Sequence, residues 1–450
     1  LTGPYKTLMK KDAPKGKDGE PAASTPASAL QSLQGDAIAD INLEEIESED
    51  IASSSVTDIR HSAEDAPVVR LANAILASAV NRGASDIHIE PMEKEVLVRY
   101  RIDGVLQPVQ TVPKKGQMGL IARLKILSKL DIAEKRMPQD GRISVRLEDK
   151  AIDFRVSTIP SKWGEKVCMR ILDKSNTQLG LDKLISHTPT LEKVREMVNQ
   201  PYGILYVTGP TGSGKTTTLY SALAEINSRD INISTVEDPI EYDLAGVNQV
   251  QVHKDIGLDF ARVLRAFLRQ DPDVILIGET RDKETAKIAV EAALTGHMVF
   301  TTLHTNDAAG TFVRLDEMGI EPFLVASSTV GVMAQRLARR LCKCKEAYVV
   351  DAETLRYLGA PVETNVTFYK PVGCDVCGGS GYKGRVGIYE VLRMTTGVRA
   401  LVIKRGNTDE MREAARRDGM LTLKDYGLLL LKEGLTSLDE VLQCVVVQEE

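Results

Sequence analysis

Apolar and polar positions change character along this chain. Residues 10–62 are rich in Ala, Ser, Asp, Glu, Gly, Pro and Lys, and no aromatic residue occurs between Tyr5 and Tyr100. Such a stretch buries too little apolar surface to offset the entropy of ordering it. Residues 1–62 therefore read as a flexible linker, with one acidic helical piece at "INLEEIE". Beyond it, in "APVVRLANAILASAVNRG", Val68, Ala72, Ile75, Leu76 and Ala79 recur at helical spacing, and Gly83 suits the stop. "EVLVRYRIDGVL" then alternates, with Val96, Val98, Tyr100 and Ile102 on one face, and Asp103-Gly104 signals a turn. In "GRISVRLEDKAIDFRVS" a second hairpin places Ile143, Val145 and Leu147 with Ile152, Phe154 and Val156 on a core face. Its other face carries Arg142, Arg146, Asp153 and Arg155. Taken alone, that face reads as solvated and laced with ion pairs. These patterns predict a smaller α+β domain over 63–175.

From about residue 185 the pattern becomes strands alternating with helices. "GILYVTG", "INISTVEDP", "DVILIGE" and "HMVFTTLHT" are short apolar runs rich in Val, Ile and Thr. Strands buried on both faces look this way, so 185–450 is expected to be an α/β domain around a mostly parallel sheet. Within it, 336–392 bears a group of cysteines and 393–450 is a helical tail.

Composition narrows the class. The chain has 450 residues, 43% hydrophobic and 27% charged, as in globular proteins. No apolar run reaches the length of a membrane span, and the opening lacks a signal peptide, so a cytoplasmic protein is expected. The first residue is Leu1, not Met, which suggests a missing N-terminal region. A net charge of −6 gives no general argument for nucleic-acid binding. Six cysteines are too few for a disulfide scaffold, and their clustering points to metal.

The stretch Gly209-Pro210-Thr211-Gly212-Ser213-Gly214-Lys215-Thr216, followed by Thr217, fits the phosphate-binding pattern G-x-x-x-x-G-K-[ST] between a strand and a helix. Glycines there let backbone N–H groups point at phosphate oxygens beside the positive end of a helix dipole. Lys215 can reach the β- and γ-phosphates of ATP, and the Thr216 hydroxyl can ligate Mg²⁺. "DPDVILIGE" ends a strand in Glu279, suited to the magnesium shell or to polarising water. "STVEDPIE" gathers Glu237, Asp238 and Glu241 at another strand end. Clustered acids suit water activation near a metal-bound triphosphate, although a solvated loop explains Glu241 equally well. "TGHMVFTTLHTND" flanks a strand with two histidines, of which His304 is the better phosphate sensor. Cys342 and Cys344, with Cys374 and Cys377, suggest a closed structural Zn²⁺ site. The first pair is C-x-C, one residue shorter than the usual C-x-x-C.

Together, "GPTGSGKTTTLYSAL", "STVEDPIEY", "LRQDPDVILIGETRD" and "TGHMVFTTLHTNDA" resemble the Walker A, Asp-box, Walker B and His-box motifs of secretion-superfamily ATPases. Upstream, "ASDIHIEP", "VRYRIDGVL", "RMPQDGRISVR" and "DFRVSTIPSKWGEKVCMRIL" resemble the domain that precedes that core. The likeness runs from about residue 66 to the end. It implies a RecA-like P-loop ATPase domain behind a PAS-like N-terminal domain, with a zinc-bearing C-terminal part. It also implies a ring-shaped homohexamer that binds ATP between its two domains, with Arg142 and Arg155 reaching the phosphates. That changes the reading of the arginine face from solvated to functional. Catalytic roles fall to Glu279, Glu237, Arg142, Arg155 and His304, and phosphate binding to residues 209–217. "GETRD" departs from the family's usual Ile before the Arg, but Thr280 leaves Glu279 in place. The pilus-extension branch is the nearer one, and "GVNQVQVHKDIGLDFARVLRAFLRQDPD" inclines the same way. A type II secretion or competence ATPase is the alternative, and a nucleic-acid translocating motor is a further one. The implied partner is an inner-membrane platform protein, with the motor docked at that membrane's cytoplasmic face.

Overall fold

The computed structural model describes residues 66–147, 150–173, 180–358 and 366–445, with the backbone of Glu44–Glu45. That pair forms β1, followed by a helix at Ala66–Asn81, then β2 (Ala84–Pro91), β3 (Glu95–Ile102) and β4 (Val105–Pro113). A helix at Gln117–Leu127 leads to β5 (Gln139–Leu147), β6 (Lys150–Ser161) and β7 (Gly164–Asp173). The strands make one seven-stranded sheet in the order β1-β5-β6-β7-β2-β3-β4, antiparallel at every pairing. Most of the expected linker lies outside the described residues. At Glu44–Glu45 the expected helical piece is instead a strand paired with Val145 and Arg146. The reason is non-local: β5 offers an open edge of backbone donors and acceptors, which an extended segment satisfies.

Alternation decides which face of this sheet is buried. Ile143, Val145, Ile152, Phe154 and Val156 point inward, with Phe154 wholly buried. Leu71, Ile75 and Leu76 of one helix, and Leu120 and Leu124 of the other, pack onto that face. The buried Tyr100 hydroxyl donates to the Ile75 carbonyl at 2.7 Å, fixing helix to sheet. Asp103 and Gly104 both have positive φ, 48° and 86°, the conformation of a tight hairpin turn between β3 and β4. The opposite face is polar.

The second domain is built on β8 (Gly203–Thr208), β9 (Ile233–Glu237), β10 (Asn248–Gln251), β11 (Val274–Ile277), β12 (Met298–Leu303) and β13 (Thr329–Leu341). After β14 (Glu346–Val349) and β15 (Thr367–Lys370), which pair with each other, comes β16 (Tyr382–Arg393). The main sheet has the order β10-β9-β11-β12-β8-β13-β16, parallel except where β16 runs antiparallel to β13. Ile204, Val236, Ile275 and Val299 face one core, while Leu205, Leu276, Phe300 and Met333 face the other. Burial on both faces is why these strands are uninterrupted apolar runs. β13 and β16 belong to this sheet, so the cysteine segment grows from the tip of an antiparallel pair anchored in the core. Four helices follow, at Thr396–Ile403, Thr408–Arg417, Leu423–Lys432 and Leu438–Val445. Among the described residues no helix is long and apolar enough to cross a membrane.

Phe154→Ala empties the centre of the N-terminal core and should lower unfolding free energy by about 3–5 kcal/mol. Urea denaturation of that domain's transition measures it, and a change under 1 kcal/mol would show the core to be misassigned.

Candidate active site

The phosphate loop takes the shape its glycines allow. Gly209 has φ of 146°, and a Cβ there would stand 2.5 Å from the Gln335 carbonyl oxygen, so only glycine fits. Gly214, at φ 88°, is the left-handed cap from which the helix Lys215–Ile226 starts. The side-chain amide of Gln335 on β13 donates to the Ser213 carbonyl at 2.7 Å and pins the loop from the side. The Lys215 ammonium folds back to donate to the carbonyls of Gly209 at 2.8 Å and Pro210 at 3.1 Å. Burial pulls its pKa down, with nearby Glu279 opposing. Residues 211–217, including Thr216 and Thr217, line a cleft of about 700 Å³, along with Glu237, Glu279 and His304.

Parallel strands deliver the acids to one rim of this cleft. Glu279 lies just past β11, where it accepts from Arg281 at 2.6 Å and meets His304 Nε2 at 3.0 Å. The hydrogen bond to Glu279 raises the Arg281 pKa. Glu237, the last residue of β9, is buried and held by three donors. Its Oε1 accepts from Thr235 at 2.6 Å and Gln249 at 3.2 Å, and its Oε2 accepts from the Tyr220 hydroxyl. Burial first, then Glu237 itself, pushes the Tyr220 pKa up, so the phenol stays a donor. Glu237 is thus an oriented carboxylate, and Tyr220 and Gln249 are partners to which the quoted motifs gave no role. His297, the other histidine of its box, only packs, with Nδ1 2.9 Å from the Ala292 carbonyl.

The facing wall comes from the polar face of the N-terminal sheet. In the strand register Arg142 stands opposite Arg155, Arg155 opposite Arg170, and Arg170 opposite Asp86. Like charges in direct cross-strand register are destabilising unless anions sit among them. Arg155 reaches across the domain boundary, donating to the Ile240 carbonyl at 2.7 Å and pairing with Glu241 at 3.2 Å. Arg170 also lines the cleft and pairs with Asp86 at 3.1 Å. Arg142 does not line it: its guanidinium donates to Asp153 at 2.5 Å, and Asp153 also accepts from Ser144 at 2.6 Å. The structure therefore brings Arg155 to the cleft that the loop lines, and adds Arg170 but not Arg142. The alternation of Cys168, Arg170 and Leu172 was the signal for Arg170, but only register shows what it stands beside.

The sulfurs of Cys342, Cys344, Cys374 and Cys377 all lie within 4.8 Å of one another. Measured edges are 3.9 Å for Cys342–Cys374, 3.9 Å for Cys344–Cys377 and 3.7 Å for Cys374–Cys377. Four thiolates about 2.3 Å from a tetrahedral ion would have edges of about 3.8 Å, so this donor set fits zinc. The short C-x-C pair is no obstacle to that spacing, because Cys342 leaves β13 tied by its N–H to the Gly381 carbonyl at 2.9 Å. Backbone N–H groups of Cys374 and Gly381 donate to the Cys377 sulfur at 3.1 and 3.2 Å. Desolvation opposes them, yet these bonds hold the Cys377 thiol down at about 6.

The chain matches the family model described as Type II/IV secretion system protein over residues 61–443. The type IV pilus assembly ATPase PilB of Myxococcus xanthus is 52% identical over 418 residues, 92% of this chain and 73% of that protein. The type II secretion system ATPase E of Vibrio cholerae is 49% identical over 387 residues, 86% of this chain and 77% of its own. Among solved structures, that of the pilus retraction motor PilT with bound ADP superposes with a TM-score of 0.56 at 29% identity, covering 82% of this chain and 95% of that one. A phosphate loop, an acid at each of two neighbouring strand ends and an arginine wall fit these relatives, and the chain is a member of the Type II/IV secretion system protein family of ATPases.

Proposed function

We propose that this chain is the ATP-hydrolysing motor of type IV pilus assembly, working as a homohexamer on an inner-membrane platform protein from the cytoplasmic side. Identity of 52% and 50% to the type IV pilus assembly ATPases PilB of Myxococcus xanthus and Pseudomonas aeruginosa supports the pilus role. Identity of 49% to a type II secretion ATPase makes secretion the second reading. The observation that carries the mechanism is that Arg155 and Arg170, side by side in the N-terminal sheet, line the same cleft as the phosphate loop across the domain boundary.

In this reading Lys215 leaves the loop carbonyls for the β- and γ-phosphates, and Thr216 with Glu279 would hold Mg²⁺, which would offset charge on those phosphates. Glu237, fixed by its three donors, orients and activates the attacking water. His304 sits against Glu279 and senses the γ-phosphate. Arg155, with Arg170, exchanges its protein acceptors for the γ-phosphate and neutralises charge developing there. A phosphate role for Arg142 requires its release from Asp153. Exchange of partners by Arg155 would tie hydrolysis to movement of the N-terminal domain. That domain is PAS-like in this proposal, and the juxtaposition of its first long strand, β2, with its last, β7, supports the assignment. Zn²⁺ on the four cysteines would be structural, with every coordination position filled by thiolate.

Glu279→Gln should reduce ATP turnover at least 100-fold while MgATP binding by calorimetry persists, and undiminished turnover would overturn the catalytic assignment. Arg155→Ala should lower kcat by 10³-fold or more, on the order of an arginine finger's contribution, whereas Arg142→Ala costs less than a tenth of that. Steady-state kinetics on both variants ranks them, and the reverse order would exchange their roles. For the metal, elemental analysis should find one zinc per chain and almost none in Cys377→Ser. Zinc retained in that variant would dissolve the four-thiolate site.

A further inference from the structure

His304 follows β12 directly, and each of the four residues after it is held by a different part of the fold. The Thr305 N–H donates to the Thr208 hydroxyl at 2.8 Å, and Thr208 is wholly buried beside the start of the phosphate loop. The Asn306 carbonyl accepts from Arg336 of β13 at 2.6 Å. Asp307 accepts from the Gly310 N–H at 2.7 Å with one carboxylate oxygen and from Arg412 at 2.8 Å with the other. The Ala308 N–H donates to Glu390 of β16 at 2.8 Å.

Two of these ties lead to the C-terminal helices. Arg412 lies on the helix Thr408–Arg417, where its other terminal nitrogen donates to Asp409 at 2.6 Å. Glu390 is 3% exposed, and its second oxygen accepts at 3.2 Å from the N–H of Leu423, the first residue of the helix Leu423–Lys432. A buried carboxylate is a costly way to fasten a helix to a sheet. Met411 and Ala415 of the one helix, and Leu430 of the other, already do so with apolar side chains. Apolar contact is non-directional and lets packed elements slide slightly, whereas a hydrogen bond sets a distance and an angle. What the polar ties add is therefore position, and the functional group they reach is His304.

His304 Nε2 stands 3.0 Å from Glu279. A displacement of the C-terminal helices would draw Asp307 and Ala308 with it, and the short, fully tied loop would pass that shift to the histidine. A misplacement of about 1 Å can cost about 100-fold in rate. The phosphate loop itself would be spared, because Gln335 pins it separately through Ser213. We propose that the Arg412–Asp307 pair, with Glu390 beside it, positions His304 against Glu279 and the γ-phosphate. The C-terminal helices then set the rate of hydrolysis without setting nucleotide affinity. The proposal rests on the reading of the cleft as the ATP site and of His304 as its γ-phosphate sensor.

A double-mutant cycle on the full chain separates positioning from mere fastening of the helices. Arg412→Ala should lower kcat about tenfold or more and leave MgADP affinity by calorimetry within about twofold, since MgADP lacks the phosphate that His304 senses. In a His304→Ala background the same substitution should cost less than about twofold further, because residues acting through one another are not additive. Unchanged kcat in Arg412→Ala would overturn the proposal, as would MgADP affinity falling in step with kcat. So would the full loss recurring without the histidine, which is what a purely structural role predicts. Should Arg412→Ala fail to fold, Asp307→Asn keeps the shape and the Gly310 bond and carries the same expectations. Wild-type turnover in His304→Ala alone would overturn the sensor reading, and the positioning with it. A wild-type chain that does not bind MgADP would overturn the cleft as the nucleotide site.

Discussion

The organising constraint of this molecule is a row of like charge. Arg142, Arg155 and Arg170 stand side by side on three neighbouring strands, with adjacent strands about 4.8 Å apart. Repulsion along that row must be met by anions, and the protein supplies an acid for each: Asp153, Glu241 and Asp86. Two of those acids belong to the sheet itself, but Glu241 belongs to the other domain. The middle arginine is therefore satisfied only while the domains are close. In the function proposed above, a polyphosphate entering the cleft would compete for the same guanidinium, bringing more charge than a single carboxylate. Relative domain position and nucleotide state would then be set by one interaction.

The other wall is organised by sheet geometry. Parallel strands end together at one rim, so Glu237 at the end of β9, Glu279 after β11 and the phosphate loop after β8 converge without any contact in sequence. Hydrogen bonds then fix what convergence alone leaves loose. Tyr220, Thr235 and Gln249 immobilise Glu237. Gln335 immobilises the loop from the adjoining strand. β13 and β16 also carry the cysteines at their far tip, so this antiparallel pair links a metal-shaped knuckle at one end to the phosphate loop at its flank.

Much of this was legible in the chain. Period-two alternation over 143–156 gave the core face of β5 and β6, because every inward position there is apolar and the pattern is local. Apolar runs between glycine and helix signals gave the parallel sheet, and the P-loop spacing put the glycine-rich turn between β8 and its helix. What escaped was non-local. The backbone of Glu44–Glu45 pairs with β5 because an edge is open there, which composition does not reveal. Alternation placed Arg142 and Arg155 on one face, but only register set Arg170 beside them, and only side-chain geometry tied Arg142 to Asp153. The C-x-C pair is one residue short of C-x-x-C, yet all four sulfurs come within 4.8 Å of one another, a juxtaposition of two distant segments that spacing alone does not show.

The two domains meet through polar contacts of modest strength. Asp103, at the tip of the β3–β4 turn, accepts from the Gly384 N–H at 2.9 Å, and Arg155 holds Ile240 and Glu241. No hydrophobic cluster among the described residues contains side chains from both domains. A net hydrogen bond in such a place contributes about 0.5–1.5 kcal/mol, and a partly exposed ion pair about 0–1 kcal/mol. Parting these contacts costs a few kcal/mol and opens no packed core among the described residues. In the function proposed above, the N-terminal sheet would act as a plate on a yielding joint, and a change of anion at the cleft would become a displacement at the plate's far edge.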